Sequence, residues 1–148
     1  MLFRSAGREG ADISVLQSRI LNSSWDGFAL YRSDPDRPGS EARGLIVDSI
    51  VGCSEDCVVQ AGRGVGLAST WDSSIEVVNV EVHHYWKGIG TFGQSSALLT
   101  NNLVRDQFGW GLIISGESTA TVHNNVIADN GTTGLAAWNE GIDASFVK

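Results

Sequence analysis

Three residues able to move protons or hold a cation recur at nearly constant spacing: His84, Asp106 and Asp129, separated by 22 and 23 residues. Each stands two positions after an apolar residue (Val82, Val104 and Ile127) in segments that resemble one another. If successive segments stack as paired strands, the two carboxylates come within about 5 Å of each other. At that separation they raise each other's pKa or share a divalent cation such as Ca2+. A neighbouring imidazole supplies a general base that titrates near neutrality. Asn22 and Gly52 take the same position upstream, and His83 and Arg105 lie one place before it. The expectation is a polar column along one outward face, with His84, Asp106 and Asp129 as candidate catalytic groups. A solvated turn gives the same pattern without chemistry, because Asp and Asn are good turn residues.

The elements that position this column follow from the repeat. TNNLVRDQFGWGLIIS (100–115) aligns with HNNVIADNGTTGLAAW (123–138), placing Asn102 on Asn125, Val104 on Ile127, Asp106 on Asp129 and Gly111 on Gly134. One step earlier, Val80 falls on Asn102 and Val82 on Val104. Further upstream, VDSIVGCSEDCVVQ sets Asp48, Ile50 and Cys57 on the same columns. The first copy, 14–30, matches without a gap, with Ser18 on Asn125, Ile20 on Ile127 and Gly27 on Gly134. The anchor column is therefore Ile20, Ile50, Val82, Val104 and Ile127, with steps of 30, 32, 22 and 23. The two long steps read as a coil plus an insertion, one at SDPDRPGSE (33–41), the other at AGRGVG (61–66). Within the last complete copy, 119–122, 126–128 and 134–137 read as strands, with corners at Asn124-Asn125 and 129–133. Alternation turns Asn125, Ile127, Leu135 and Ala137 inward. A helix over Asp12–Leu21, with Ile13, Leu16, Ile20 and Leu21 on one side, competes locally; the gapless match favours a coil.

The fold expected is all-β: a parallel β-helix of about five coils, a single-stranded solenoid, right-handed because crossovers between parallel strands overwhelmingly are. The pattern Asn-Asn-apolar-apolar, then Asp or Asn, then Gly-apolar, resembles the parallel β-helix repeat family over roughly residues 11–142. That family includes pectate-lyase-like enzymes, alginate lyases and epimerases, and NosD-like periplasmic proteins. The resemblance implies an extracellular or periplasmic carbohydrate-active protein, of lyase, epimerase or hydrolase type, holding a polysaccharide along an outward face. Such enzymes carry acid, base and cation-binding groups on successive strands, which here fall on His84, Asp106 and Asp129. The rival is a non-catalytic, adhesin-type solenoid serving as spacer or binding platform. Residues 1–10 read as a non-native or disordered start, and 11–148 as a β-helix domain truncated at both ends, so flanking coils of the same protein are expected partners.

A net charge of -7 leaves no basic stripe for nucleic acid or an anionic membrane surface, and disfavours a polyanionic sugar unless divalent cations bridge the two. No apolar run approaches the roughly 18 residues that span a bilayer, and MLFRSAGREG holds no apolar leader segment. Asp48, Asn102 and Asn125, with Ser18, form a column read as a ladder of amides bonding to neighbouring coils. Of five tryptophans, Trp25, Trp86 and Trp110 fall in the turn before the third strand, with Tyr85 and Phe108 close by. They offer ring faces to sugars or shield the bend. Cys53 and Cys57 are too few for a zinc site and lack the CxxC spacing, leaving two free thiols or a loop-closing disulfide. GRGVG (62–66) lacks the Gly-Lys-Ser/Thr of a phosphate loop and reads as a turn. Glycosylation sequons at Asn22 and Asn130 fall in turns, which implies surface exposure. His123 reads as a surface or packing histidine.

Overall fold

The computed structural model describes residues 5–8, 10–31, 41–54 and 64–138. After β1 (Ser5–Arg8), the chain winds through five coils of three strands. The first coil is β2 (Asp12–Leu16), β3 (Arg19–Leu21) and β4 (Phe28–Tyr31); the second is β5 (Arg43–Val47), β6 (Ile50–Gly52) and β7 (Val65–Thr70). The third is β8 (Ser74–Val78), β9 (Glu81–His83) and β10 (Lys87–Phe92). The fourth is β11 (Ser96–Thr100), β12 (Leu103–Arg105) and β13 (Trp110–Ser115), and the fifth β14 (Thr119–His123), β15 (Val126–Ala128) and β16 (Thr133–Trp138). Every pairing is parallel, each strand with its counterpart one coil away. This makes three sheets: β2-β5-β8-β11-β14, β3-β6-β9-β12-β15 and β1-β4-β7-β10-β13-β16, called first, second and third below. Asp12–Leu21 forms two strands of a coil and no helix. Ser5–Arg8, inside the segment read as non-native or disordered, pairs with β4.

Inward side chains from the three sheets meet in one core, with Ile46, Val77 and Leu99 from the first sheet, Val51, Val82 and Val104 from the second, and Leu67, Ile89 and Leu112 from the third. The anchor column differs from expectation at one place. Ile20 pairs with Val51, and Val51 with Val82, so Val51 and not Ile50 occupies the column. The true offsets are 31, 31, 22 and 23. Ile50 and Val51 are both β-branched, and a slip of one residue exchanges the faces of a strand. The interior takes Val51, and Ile50 lies half-buried on the outer side between Arg19 and Glu81.

The corner between first and second sheets is made by residues in the left-handed region: Gln17, Asp48, Asn79, Asn101 and Asn124, with φ from 47° to 57°. Asn and Asp tolerate that conformation best among residues with a Cβ. The ladder stands one position later and runs through Ser18, Ser49, Val80, Asn102 and Asn125, so Asp48 belongs to the turn and not to the ladder. The side chains of Ser49, Asn102 and Asn125 each cap a backbone amide of the coil before. Ser18 N–H donates to Ser49 Oγ (3.0 Å), Val80 N–H to Asn102 Oδ1 (2.9 Å) and Asn102 N–H to Asn125 Oδ1 (2.8 Å).

Between second and third sheets runs a column made entirely of glycine: Gly27, Gly66, Gly88, Gly111 and Gly134. None of the five has a positive φ, so the demand is for space. A Cβ at Gly88 would sit 2.5 Å from Val104 Cγ1 and 2.5 Å from Gly111 O, and one at Gly66 2.5 Å from Val82 Cγ1. The anchor side chain of the next coil fills the volume that a Cβ would need. Only at Gly134 is there room, with Ile127 Cγ2 at 3.5 Å. The glycine-rich segment read as a turn therefore divides: Gly64, with φ +87°, turns the chain, while Val65 and Gly66 already belong to β7. The other insertion, residues 33–41, lies outside the described residues except for Glu41.

Overpacking a full corner costs roughly 1–3 kcal/mol. Gly88→Ala should therefore lose about that much stability in urea denaturation, and Gly134→Ala much less. Equal losses at the two positions would show that crowding by Val104 does not set the glycine column.

Candidate functional site

Each strand of the second sheet is three residues long, with its middle residue in the anchor column. The first and third residues therefore face outward. From β9 these are Glu81 and His83; from β12, Leu103 and Arg105. Parallel register sets Arg105 beside His83, and the long guanidinium reaches diagonally back to Glu81. Nε and Nη2 of Arg105 donate to Glu81 Oε1 at 3.0 and 2.5 Å, and Nη1 donates to Asp106 Oδ2. These groups are partly exposed, so the network fixes geometry more than it adds stability.

After four of the five strands the next residue turns the second corner in the left-handed conformation: Asn22, His84, Asp106 and Asp129, with φ between 53° and 60°; Cys53, after β6, does not. His84, Asp106 and Asp129 thus occupy one position on three successive coils. Gly52 does not share it. It pairs with Leu21 and His83 inside the strands, and Cys53 follows it into the corner, the same one-residue shift that moved Val51 inward. Gly52 has a different use. The imidazole of His83 lies so close that a Cβ at position 52 would be 2.2 Å from its Nε2.

His83 Nδ1 and His84 Nδ1 stand 2.8 Å apart, with the rings perpendicular. Such a contact requires one nitrogen to carry a proton and the other a lone pair. Burial lowers the pKa of His83, and the adjacent His84 lowers it further, against the opposing charge of Glu81. Phe108 and His84 meet in a T-shaped ring contact with centroids 6.3 Å apart, and Phe108 is 53 % exposed. Asp106 is tied to Arg105, while Asp129 is exposed on the next coil. Among the described residues, no hydrogen bond or ion pair joins Asp129 to Asp106, and no group of three or more His, Cys, Asp or Glu is placed to hold a metal ion.

The aromatic side chains flank this corner. Trp25 and Trp86 share a column in which Gly64 and Gly109 alternate with them, and a Cβ at Gly109 would be 3.2 Å from Trp86 Cε2. Trp110 lies one place further on and opens β13. Its ring meets Trp86 edge to face at 5.8 Å, and Lys87 Nζ stands 5.6 Å from its centroid. Burial lowers the pKa of Lys87, opposed by the charge of Asp26. Asp26 itself is buried, accepting from Tyr31 OH at 2.5 Å and Val65 N–H at 3.0 Å.

A second internal ladder was not apparent in the sequence. Gln107 Oε1 accepts Tyr85 N–H at 2.9 Å, its Nε2 donates to Val82 O and Arg105 O, and its own N–H donates to Asn130 Oδ1. It packs against Tyr85, whose phenol burial pushes up to about 12. This ladder also corrects the reading of the sequons. Asn22 is exposed, but the Nδ2 of Asn130, the atom that would carry a glycan, is buried. His123 is a surface residue. Cys53 is disulfide-bonded, and Cys57, the other cysteine of the chain, lies outside the described residues.

Stacked coils, parallel sheets and an internal amide ladder define a β-solenoid. The sequence profile described as the right-handed β-helix region matches residues 6–147, and the chain belongs to that family. Neither a curated protein nor a solved structure matches it.

Because folding lowers the pKa of His83 below its ordinary 6.5, the unfolded chain takes up the proton first as pH falls. The stability present above 6.5 is thus lost as pH drops through that value toward the lower folded one. Melting temperature should fall as pH drops below about 6.5, and His83→Asn should flatten that dependence. An unchanged slope in the variant would exclude His83 as the group responsible.

Proposed function

We propose that this chain is part of an extracellular or periplasmic carbohydrate-active β-helix protein that holds a glycan along the corner between the second and third sheets. The observation that carries the reading is the gathering, on two adjacent coils, of one exposed and two half-buried aromatic rings with a charged hydrogen-bonding network. Trp86, Phe108 and Trp110 supply the rings; Glu81, Arg105, Asp106 and the His83–His84 pair supply the network. A sugar presents just these two needs, an apolar C–H face and an edge of hydroxyls. Aromatic faces satisfy the first, and ionised groups form the stronger hydrogen bonds with the second. The disulfide at Cys53 fits an oxidising compartment.

Within this reading, His84 is the candidate base. Its Nδ1 faces His83, which leaves Nε2 for a substrate proton. Asp106 and Asp129, one coil apart, are the acid pair of a hydrolase variant, and the strand spacing of about 4.8 Å approaches the 5–5.5 Å carboxyl separation of retaining enzymes. The binding platform without chemistry is supported by the ion pair that already engages Asp106.

Affinity electrophoresis in gels containing polysaccharides tests the proposal. The full chain should be retarded by at least one glycan. Trp86→Ala or Phe108→Ala should each weaken binding roughly tenfold, the loss of one stacking contact of about 1 kcal/mol or slightly more. Retardation that survives both substitutions would remove the corner from consideration. If binding is found, release of shortened or unsaturated products that His84→Ala abolishes separates the enzyme from the platform.

A further inference from the structure

We infer that the glycan held at this corner is uncharged, a neutral hexose or pentose polymer and not a polyuronate; the inference rests on the glycan-binding reading above. A polyuronate presents a carboxylate on each sugar, so a protein that grips it without metal ions needs a cation at about every coil step. This face does not offer them. Arg105, the cation at its centre, directs three of its five N–H groups at Glu81 and Asp106. One positive charge is thus set between two negative ones, and exposed Asp129 adds another on the next coil. Lys87 is half-buried against the Trp110 ring, with the buried Asp26 carboxylate as its neighbouring charge. Arg19, on the outer side of β3, is separated from Glu81 by Ile50.

A uronate would have to displace Glu81 or Asp106 from Arg105. Displacement would leave an unpaired carboxylate beside the incoming one, and like charges at such range repel strongly. A neutral sugar meets no such obstacle. Its hydroxyls donate to the carboxylate oxygens of Glu81, Asp106 and Asp129 that are left open, and accept from the two remaining N–H groups of Arg105. Its C–H face lies on Phe108 or Trp86, beside the same carboxylates. The ion pairs act as a filter: they hold the hydrogen-bonding groups in place while cancelling the charge that would recruit an anion.

The test compares the full chain against neutral polysaccharides (β-glucan, xylan and galactomannan) and against polygalacturonate and alginate, each with Ca2+ and with a chelator, at physiological ionic strength. Retardation by a neutral polymer at least tenfold stronger than by either uronate is the expected result. Glu81→Gln and Asp106→Asn together release Arg105, and the double variant should gain uronate retardation relative to the unaltered chain, with a cooperative melting transition showing that it is folded. Uronate retention by the unaltered chain equal to or above that of neutral polymers, with or without Ca2+, would overturn the inference and leave glycan binding standing. Retention by none of the polymers would overturn glycan binding itself and this inference with it.

Discussion

Where the second sheet bends into the third, a backbone carbonyl and a β-branched side chain of the following coil both press into the space a Cβ would occupy. A Cβ at Gly66, Gly88 or Gly111 would meet those atoms at 2.5–2.7 Å, closer than real Cβ contacts come, so the bend calls for glycine. Everything outside the corner depends on that closeness. It lets Val82, Val104 and Ile127 fill the core from strands of only three residues. A three-residue strand with its middle residue inward has two outward residues and no others. Hence Glu81, His83 and Arg105 project where they do, and after four of the five strands the residue that follows takes the left-handed turn. The charged network is a consequence of how tightly the chain bends beneath it.

The same tightness would strand backbone amides at each corner, since a bend interrupts the strand pairing that normally satisfies them. Side-chain amides take over that task. Asn102 and Asn125 do so at the first corner, Gln107 and Asn130 at the second. Where the third coil carries Val80 and Tyr85, the partner comes from the coil above. This explains how an apolar or aromatic residue can stand in an amide column: the donor to be capped is its backbone N–H, whatever its side chain. The corner amides are thus satisfied at two edges of the interior, with the Nδ2 of Asn130 the one ladder amide nitrogen buried without a partner among the described residues, and buried polar groups with partners are far less costly than those without.

Much of this was legible in the sequence because a repeat fixes its own register. Val126–Ala128 is a strand as expected, the Asn124-Asn125 corner falls where expected, and the glycine column was visible at Gly27, Gly111 and Gly134. The second coil was misread by one residue, since Ile50 and Val51 satisfy an apolar pattern equally and only the stacked neighbours distinguish them. That slip carried Asp48 into the ladder and Gly52 into the outward column. Glu81 escaped notice for a different reason. Its partner Arg105 is 24 residues away, and a diagonal contact across coils leaves no local pattern. Gln107 lacked a signal because the repeat shows Asn130 opposite it, a different residue type performing the same bond.

Offsets of 31, 31, 22 and 23 between equivalent ladder positions mean that two coils are about nine residues longer than the others, yet deliver their strands in the same register. Closing a loop of 31 residues instead of 22 costs only roughly 0.3 kcal/mol more in chain entropy. Each coil contacts mainly the one before it, so assembly amounts to copying: a finished turn is the template on which the next is laid, in the manner of a growing one-dimensional lattice. Length added at a corner barely slows or weakens that copying step, whereas a single methyl group added inside the bend obstructs it. Such a chain can acquire new surface loops freely while its bends stay fixed, and novelty will accumulate at the corners facing solvent.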